Sequence, residues 1–361
     1  MFRCKIKMVI VYNLRGIPMV CGIGEATVEG GILITGGAGF VGSHLAEALL
    51  GGVTATSPGT GLAGNDVRIT ILDNLSTGNW ANCRHLARDP RFRAVIADAE
   101  DETLVREEVS HHDFVFHLAS AVGVRRIVDS PVETLRTMVR ATDCVFDACN
   151  RYRRPVLFTS SSEVYGKSAQ IPFAESQDVT IGPTGKRRWA YACAKMLDEF
   201  LALAHFHESE LPVRIVRLFN TVGPRQTGRY GMVLPRFVGQ ALRGEELTVY
   251  GDGTQTRCFC DVRDVVRGLI AVAECEMAVG RVVNIGTSDE VSIAELAQRV
   301  IDLCGSVALI RRIPFDVAFG SDFDDMQRRV PDTTLIRSLC DWTPEIPLDR
   351  TIRDIAGTMK S

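Results

Sequence analysis

Apolar residues along this chain fall in short continuous runs, separated by segments in which they recur at helical spacing. Ile32–Thr35 is one such run, and "VRITILD", "FRAVIADAED" (ending near Asp98), "DFVFHLAS" and "RPVLFTSSS" are others. Runs of this length without alternation read as strands buried on both faces. Val41–Leu50, Thr103–Val109, Val132–Arg151 and Ala190–His207 read as helices between them. Strand and helix in alternation predict an α/β fold with a doubly wound parallel sheet of the Rossmann type, its chemistry at the carboxyl ends of the strands. Asp264–Glu274 and Val282–Ile285 read as a helix and a strand that return to this sheet from a smaller C-terminal lobe. The expected organisation is an extension over 1–30, a Rossmann domain over 31–218 and a mainly substrate-binding lobe over 219–361, with about 264–286 rejoining the sheet. Gly, Ser, Thr and Pro dominate 51–66, which reads as a loop inserted between a helix and the next strand.

Bulk properties narrow the field. A net charge of −3 without a long basic run argues against a nucleic-acid partner. No apolar run reaches membrane-spanning length, and the patch at Met8–Tyr12 is too short for the core of a signal peptide. The 11 cysteines contain no Cys-x-x-Cys pair, and Cys258 and Cys260 flank a single phenylalanine. This usage fits free thiols in a reducing cytoplasm rather than a disulfide framework or a zinc site. His205 and His207, two apart on a helical stretch, point to different faces, so no metal site is expected.

The turn after the first strand carries the clearest chemistry. Gly36, Gly39 and Gly42 lie three apart between strand and helix. Such a turn presents bare backbone N–H groups at a helix N-terminus, where a pyrophosphate binds. Asp73 ends the next strand and is placed to accept hydrogen bonds from both ribose hydroxyls of NAD, while its charge repels the 2′-phosphate of NADP. It lies further from the glycines than the usual ~20 residues, because of the inserted loop. Asp98 is placed to reach an adenine amine. Tyr191 and Lys195, four apart, stack on one helix face, where an ammonium favours the phenolate of its neighbour. That spacing also occurs by chance on surface helices, so its weight comes from the company it keeps.

Together these features resemble the extended short-chain dehydrogenase/reductase family, specifically its NAD-dependent nucleotide-sugar epimerases, dehydratases and decarboxylases. The resemblance runs from about Ile32 to the C-terminus through "TGGAGFVGSH", "LDNLSTG", "HLAS", "SSSEVYG", "YACAK", "RLFNTVGPRQ" and "VYGDGTQTRCF". It implies bound NAD, held by Gly36, Gly39, Phe40, Val41, Gly42, Asp73, Asn74, Asp98, Ala119, Tyr191 and Lys195. It implies oxidation of the sugar C4 hydroxyl: Tyr191 takes the proton, Lys195 depresses the tyrosine pKa and binds the nicotinamide ribose, and Ser161 hydrogen-bonds the same oxygen. Glu163 joins them as a catalytic residue, with Ser162, Asn220, Arg257 and Arg329 against a UDP-sugar. It also implies a homodimer, joined through Val132–Arg151 and Ala190–His207 as a four-helix bundle.

A C4 ketone permits several outcomes: inversion at C4, loss of a C5 carboxylate as CO2, or elimination across C5–C6. Ser161-Ser162-Glu163, the Arg188-Trp189 lead-in to Tyr191, and Arg329 in "RRVPD" are similar to UDP-glucuronate decarboxylases. That reaction is the first expectation. A UDP-sugar 4-epimerase is the alternative, ahead of a 4,6-dehydratase and of a dinucleotide-binding protein without turnover.

Overall fold

The computed structural model describes residues 10–12, 18–20, 31–52, 62, 67–120, 131–228, 232–319 and 326–360. Most of the expected extension and most of the loop insertion lie outside the described residues. Within the extension, β1 (Ile10–Tyr12) pairs antiparallel with β2 (Pro18–Val20), a pairing not expected from the sequence.

Seven strands form the central sheet: β3 (Gly31–Thr35), β4 (Arg68–Asp73), β5 (Phe92–Ile96), β6 (Phe114–His117), β7 (Val156–Ser161), β8 (Val213–Leu218) and β13 (Val282–Ile285). Their order is β13-β8-β7-β6-β3-β4-β5, and every pair is parallel. Every residue of β3 is buried, as a strand covered on both faces requires. The chain leaves β3 toward β4 on one side and later resumes at β6 on the other. This reversal is the topological switch point, outside whose carboxyl ends ligands bind in such sheets. β5 stops at Ile96, so Asp98 sits in the following loop rather than at a strand end.

Two helical layers cover the sheet. On one face α1 (Phe40–Leu50) and α6 (Val262–Glu274) bury Leu45, Leu49, Leu269 and Ile270 against Ile34, Ile71 and Ile285. On the other, α2 (Glu102–Ser110), α3 (Pro131–Tyr152) and α4 (Trp189–Ser209) bury Val105, Val145, Phe146 and Ala202 against Leu33, Val115 and Phe158. Each buried valine, leucine, isoleucine or phenylalanine among them contributes about 1.5–3 kcal/mol by leaving water.

A second core lies beyond β8. There α5 (Val233–Leu242), α7 (Ile293–Cys304) and α10 (Leu348–Lys360) pack Phe237, Leu296 and Ile352 around β10 (Leu247–Tyr250), which pairs in parallel with β15 (Ile310–Ile313). α7 opens with a capping residue, the Ser292 hydroxyl accepting from the Glu295 N–H, and ends at Gly305 with φ +61°. Two short pairings bridge the cores: β9 (Thr221–Val222) with β12 (Cys260–Asp261), and β11 (Thr256–Cys258) with β14 (Glu290–Ser292). α6 and β13 therefore belong by packing to the main sheet although the chain reaches them after entering the lobe.

Candidate active site

The glycine-rich turn is built by close backbone approach. Gly36 has φ +71°, and a Cβ there would lie 2.8 Å from the Ala119 nitrogen. A Cβ on Gly42 would strike the Gly36 carbonyl oxygen and lie 2.8 Å from Gly37 Cα. The N-cap of α1 is Gly39, which offers no side-chain acceptor to the first turn. The N–H groups of Phe40 and Val41 therefore point outward without the capping oxygen that most helices supply. A cradle of bare donors at a helix N-terminus fits a pyrophosphate.

Asp73 is 7% exposed, with Oδ2 accepting from Ala38 N at 3.0 Å and Oδ1 from Leu75 N at 2.8 Å. Burial raises its pKa, and the N–H groups of Leu75, Ala38 and Gly39 oppose the rise. Each oxygen keeps a further lone pair, which suits two ribose hydroxyls. Asn74 donates to Asp98 Oδ2 at 3.0 Å, so these two expected cofactor residues meet each other at the surface. Ala119 donates to Thr35 Oγ1 at 3.2 Å, which fixes the end of β6 beside the Gly36 turn. The turn, Asp73, Asn74, Asp98 and Ala119 all surround the switch point, and this arrangement fits NAD.

Tyr191 and Lys195 project from the first turns of α4. Lys195 is 2% exposed; its Nζ donates to the Thr159 carbonyl at 3.0 Å and lies 4.5 Å from the centre of the Phe158 ring. Burial lowers its pKa, while Asp198 and Glu199 raise it. The Tyr191 pKa differs from expectation: it is raised, first by burial and then by the Glu163 charge, with the Ser161 and Ser120 hydroxyls acting in the opposite direction. The Lys195 ammonium donates to the Thr159 carbonyl and is not among the leading influences on the phenol. Ser120, at the end of the "HLAS" run, is a site residue that sequence reasoning passed over.

Ser161 closes β7, and its Oγ accepts from Glu163 N at 3.2 Å, which starts a single turn over Ser162–Tyr165. Ser162 is buried in this turn. Glu163 receives two arginines: Arg329 Nη2 donates to Oε1 at 2.5 Å and Arg188 Nη2 to Oε2 at 3.3 Å. Burial pushes the Glu163 pKa up, but the charges of Arg329, Arg188 and Arg257, with the Arg329 hydrogen bond, hold it at about 2. Arg329 Nη1 also reaches Asn220 Oδ1 at 3.4 Å, and Asn220 Nδ2 donates to the Cys258 carbonyl at 3.1 Å. Arg257 donates to the Thr256 carbonyl at 2.7 Å. The structure thus brings Glu163, Asn220, Arg257 and Arg329 together and adds Arg188, whose position three residues before Tyr191, in the Arg188-Trp189 lead-in, was its only signal. No group of three or more His, Cys, Asp or Glu residues able to hold a metal occurs among the described residues.

Comparison with known proteins bears on the family and the fold. The NAD dependent epimerase/dehydratase family matches residues 32–286. A UDP-N-acetyl-alpha-D-glucosaminuronate decarboxylase of Bacillus cytotoxicus is 38% identical over 89% of this chain and 95% of its own length. UDP-glucuronic acid decarboxylase 1 of Xenopus tropicalis is 35% identical over 88% of this chain and 69% of its own. Among solved structures, a dTDP-glucose 4,6-dehydratase of Streptomyces venezuelae with NAD bound superposes with a TM-score of 0.81, at 27% identity, over 91% of this chain and 97% of that one. This chain belongs to the NAD dependent epimerase/dehydratase family.

Proposed function

We propose that this chain is a UDP-hexuronate decarboxylase that oxidises the sugar at C4, releases the C5 carboxylate as CO2 and returns a UDP-pentose. The observation that carries the reading is the convergence of Arg188, Arg257 and Arg329 on a single glutamate, Glu163. That arrangement leaves positive charge in excess at a buried site, which suits a substrate bearing a carboxylate as well as a diphosphate. The two curated relatives above carry decarboxylase names, one with an N-acetylated uronate and one with glucuronate. Both uronates are therefore candidate substrates.

Bound NAD supplies the hydride acceptor at C4 and the hydride that is later returned. Tyr191 takes the C4 hydroxyl proton, and Ser161 holds the same oxygen. When CO2 leaves, the C5 electron pair forms an enolate whose negative charge collects on that oxygen, where the Tyr191 and Ser161 hydroxyls donate to it. A proton from water then adds at C5, and hydride at C4 with the Tyr191 proton at the oxygen restores the hydroxyl. Glu163, kept ionised by Arg329, positions those arginines toward the uronate carboxylate and stands near C5. Lys195 fixes the nicotinamide ribose. Gly36, Gly39, Phe40, Val41, Gly42, Asp73, Asn74, Asp98 and Ala119 hold the rest of the dinucleotide, and Asn220, Arg257 and Ser162 serve the UDP-sugar.

The same proposal includes assembly and place. α3 and α4 expose Val132, Leu197 and Phe200 on their outer faces, and we assign this surface to a homodimer. The described cysteines are free thiols and no helix of the described residues is long and apolar enough to cross a membrane, which supports a cytoplasmic enzyme. The test is incubation of the NAD-loaded chain with UDP-glucuronate and its 2-acetamido counterpart. CO2 release is expected from at least one, with turnover reduced about 10²–10⁴-fold in Tyr191→Phe. Clean inversion at C4 without CO2 would make the chain a 4-epimerase instead.

A further inference from the structure

Lys195 is seated between two buried carboxylates that follow it on α4, and only one of them is already committed. Glu199 is bound by Arg217, whose Nε and Nη2 donate at 3.0 and 2.7 Å, and it also accepts from the Ser160 hydroxyl. Asp198 is fully buried, and neither of its oxygens has a hydrogen-bond partner among the described residues. Its Oδ2 lies 4.0 Å from Lys195 Nζ, three residues back on the same helix. Among the described residues, Lys195 is the cation that acts on it. From α3, Thr142 faces the carboxylate but gives its proton to the Met138 carbonyl at 3.0 Å. From β6, His117 meets Thr142 through Nε2 at 3.3 Å and Thr35 through Nδ1 at 2.7 Å. Burial and the Lys195 charge keep that imidazole neutral, with its pKa lowered to about 3. From β7 the lysine meets only the Thr159 carbonyl and the Phe158 ring, neither of which bears a charge.

A buried carboxylate without hydrogen bonds is costly, and a well-packed apolar residue would fill the place at no such cost. We propose that Asp198 is a positioning residue: its carboxylate is the dedicated counter-charge that keeps Lys195 protonated in its buried seat. This rests on the reading of Lys195 as a working partner of Tyr191. Burial of the lysine drives toward the neutral amine; Asp198 is the larger of the two carboxylate influences that oppose it, and Glu199, the smaller, is shared with Arg217. Burial raises the Asp198 pKa to about 6, and Lys195 is the first influence opposing that rise, so the two groups sustain each other's charge.

Two measurements on the full-length chain with NAD test the proposal. The first is a thermal-unfolding cycle of wild type, Lys195→Met, Asp198→Asn and the double variant, which needs no turnover. Lys195→Met strands a buried carboxylate, so adding Asp198→Asn to it is expected to restore most of the lost Tm. Additive shifts would overturn the proposal. The second is the pH dependence of kcat with UDP-glucuronate. Asp198→Asn is expected to move the alkaline limb down by about one pH unit, a roughly tenfold loss at a given pH on that limb, with Asp198→Glu close to wild type. An unmoved alkaline limb would also overturn it. A coupled unfolding cycle with no CO2 from wild type would support the counter-charge and reject only the decarboxylase reading.

Discussion

Two carboxylates face the proposed site, and they are held in opposite ways. Asp73 sits at the end of β4 against backbone N–H groups from its own turn and from the glycine turn beside it, and burial raises its pKa. Glu163 sits in the turn after β7 against guanidinium groups from the N-cap of α4 and from the segment before α9 (Thr334–Cys340), and its pKa falls to about 2. The first arrangement is a property of neighbouring backbone, so the side chain can be recognised by its place after a strand. The second is a property of side chains that meet only in the folded chain. The cofactor half is thus local and geometric, and the substrate half is remote and electrostatic.

The largest effect should come from breaking the electrostatic half. Arg329→Leu leaves the Glu163 charge with one direct ion pair, and breaking a buried pair in this way costs about 3–5 kcal/mol. Decarboxylation should fall at least about 100-fold, and urea unfolding should show the stability loss. Adding Glu163→Gln should recover most of the stability and none of the turnover. Full turnover in Arg329→Leu would remove the arginine cluster from the mechanism.

A smaller effect is expected in the backbone-held half. Asp73→Asn keeps one acceptor oxygen and loses the charge, so NAD should bind about 10–100-fold more weakly with little change in kcat at saturation. Wild type should bind NAD more tightly than NADP, by titration calorimetry. Tighter NADP binding would show that Asp73 does not read the ribose.

The smallest effect is an opposition in acid stability. Glu163 has a folded pKa of about 2 against an ordinary 4.5, so its contribution is complete above about 4.5 and is lost as pH falls through about 2. Glu163→Gln should therefore flatten the loss of Tm over that window. Asp73 has a raised pKa, so the folded state binds its proton first and stability falls as pH rises through the folded value. Asp73→Asn should bend the curve the other way, making the acid loss steeper just above the ordinary carboxylate range. Parallel curves for the two variants would show that the two sites do not differ in this respect.

The strand runs, the glycine turn and the Tyr191–Lys195 spacing could be read directly because each depends on residues within a few positions of one another. A buried parallel strand needs continuous apolar sequence, a helix N-terminus open to phosphate needs glycine, and residues four apart on a helix must share a face. Glu163 and Arg329 could be named from their resemblance to a family, but not paired. Ser120 gave no sign of facing Tyr191, since it lies past the end of β6 and comes near the tyrosine only because β6 and β7 become neighbours.

By itself the sequence determined the order of strands and helices, the dinucleotide turn, and which helix carries the tyrosine and lysine, because short-range sterics and burial periodicity are written in consecutive residues. Only the tertiary structure decided that Lys195 turns to Thr159, that Asp198 is buried with Lys195 as its ion-pair partner among the described residues, and that arginines from distant segments close on Glu163. Those outcomes depend on which strands become neighbours and how deeply each charge is buried, and neither quantity exists until the sheet has assembled.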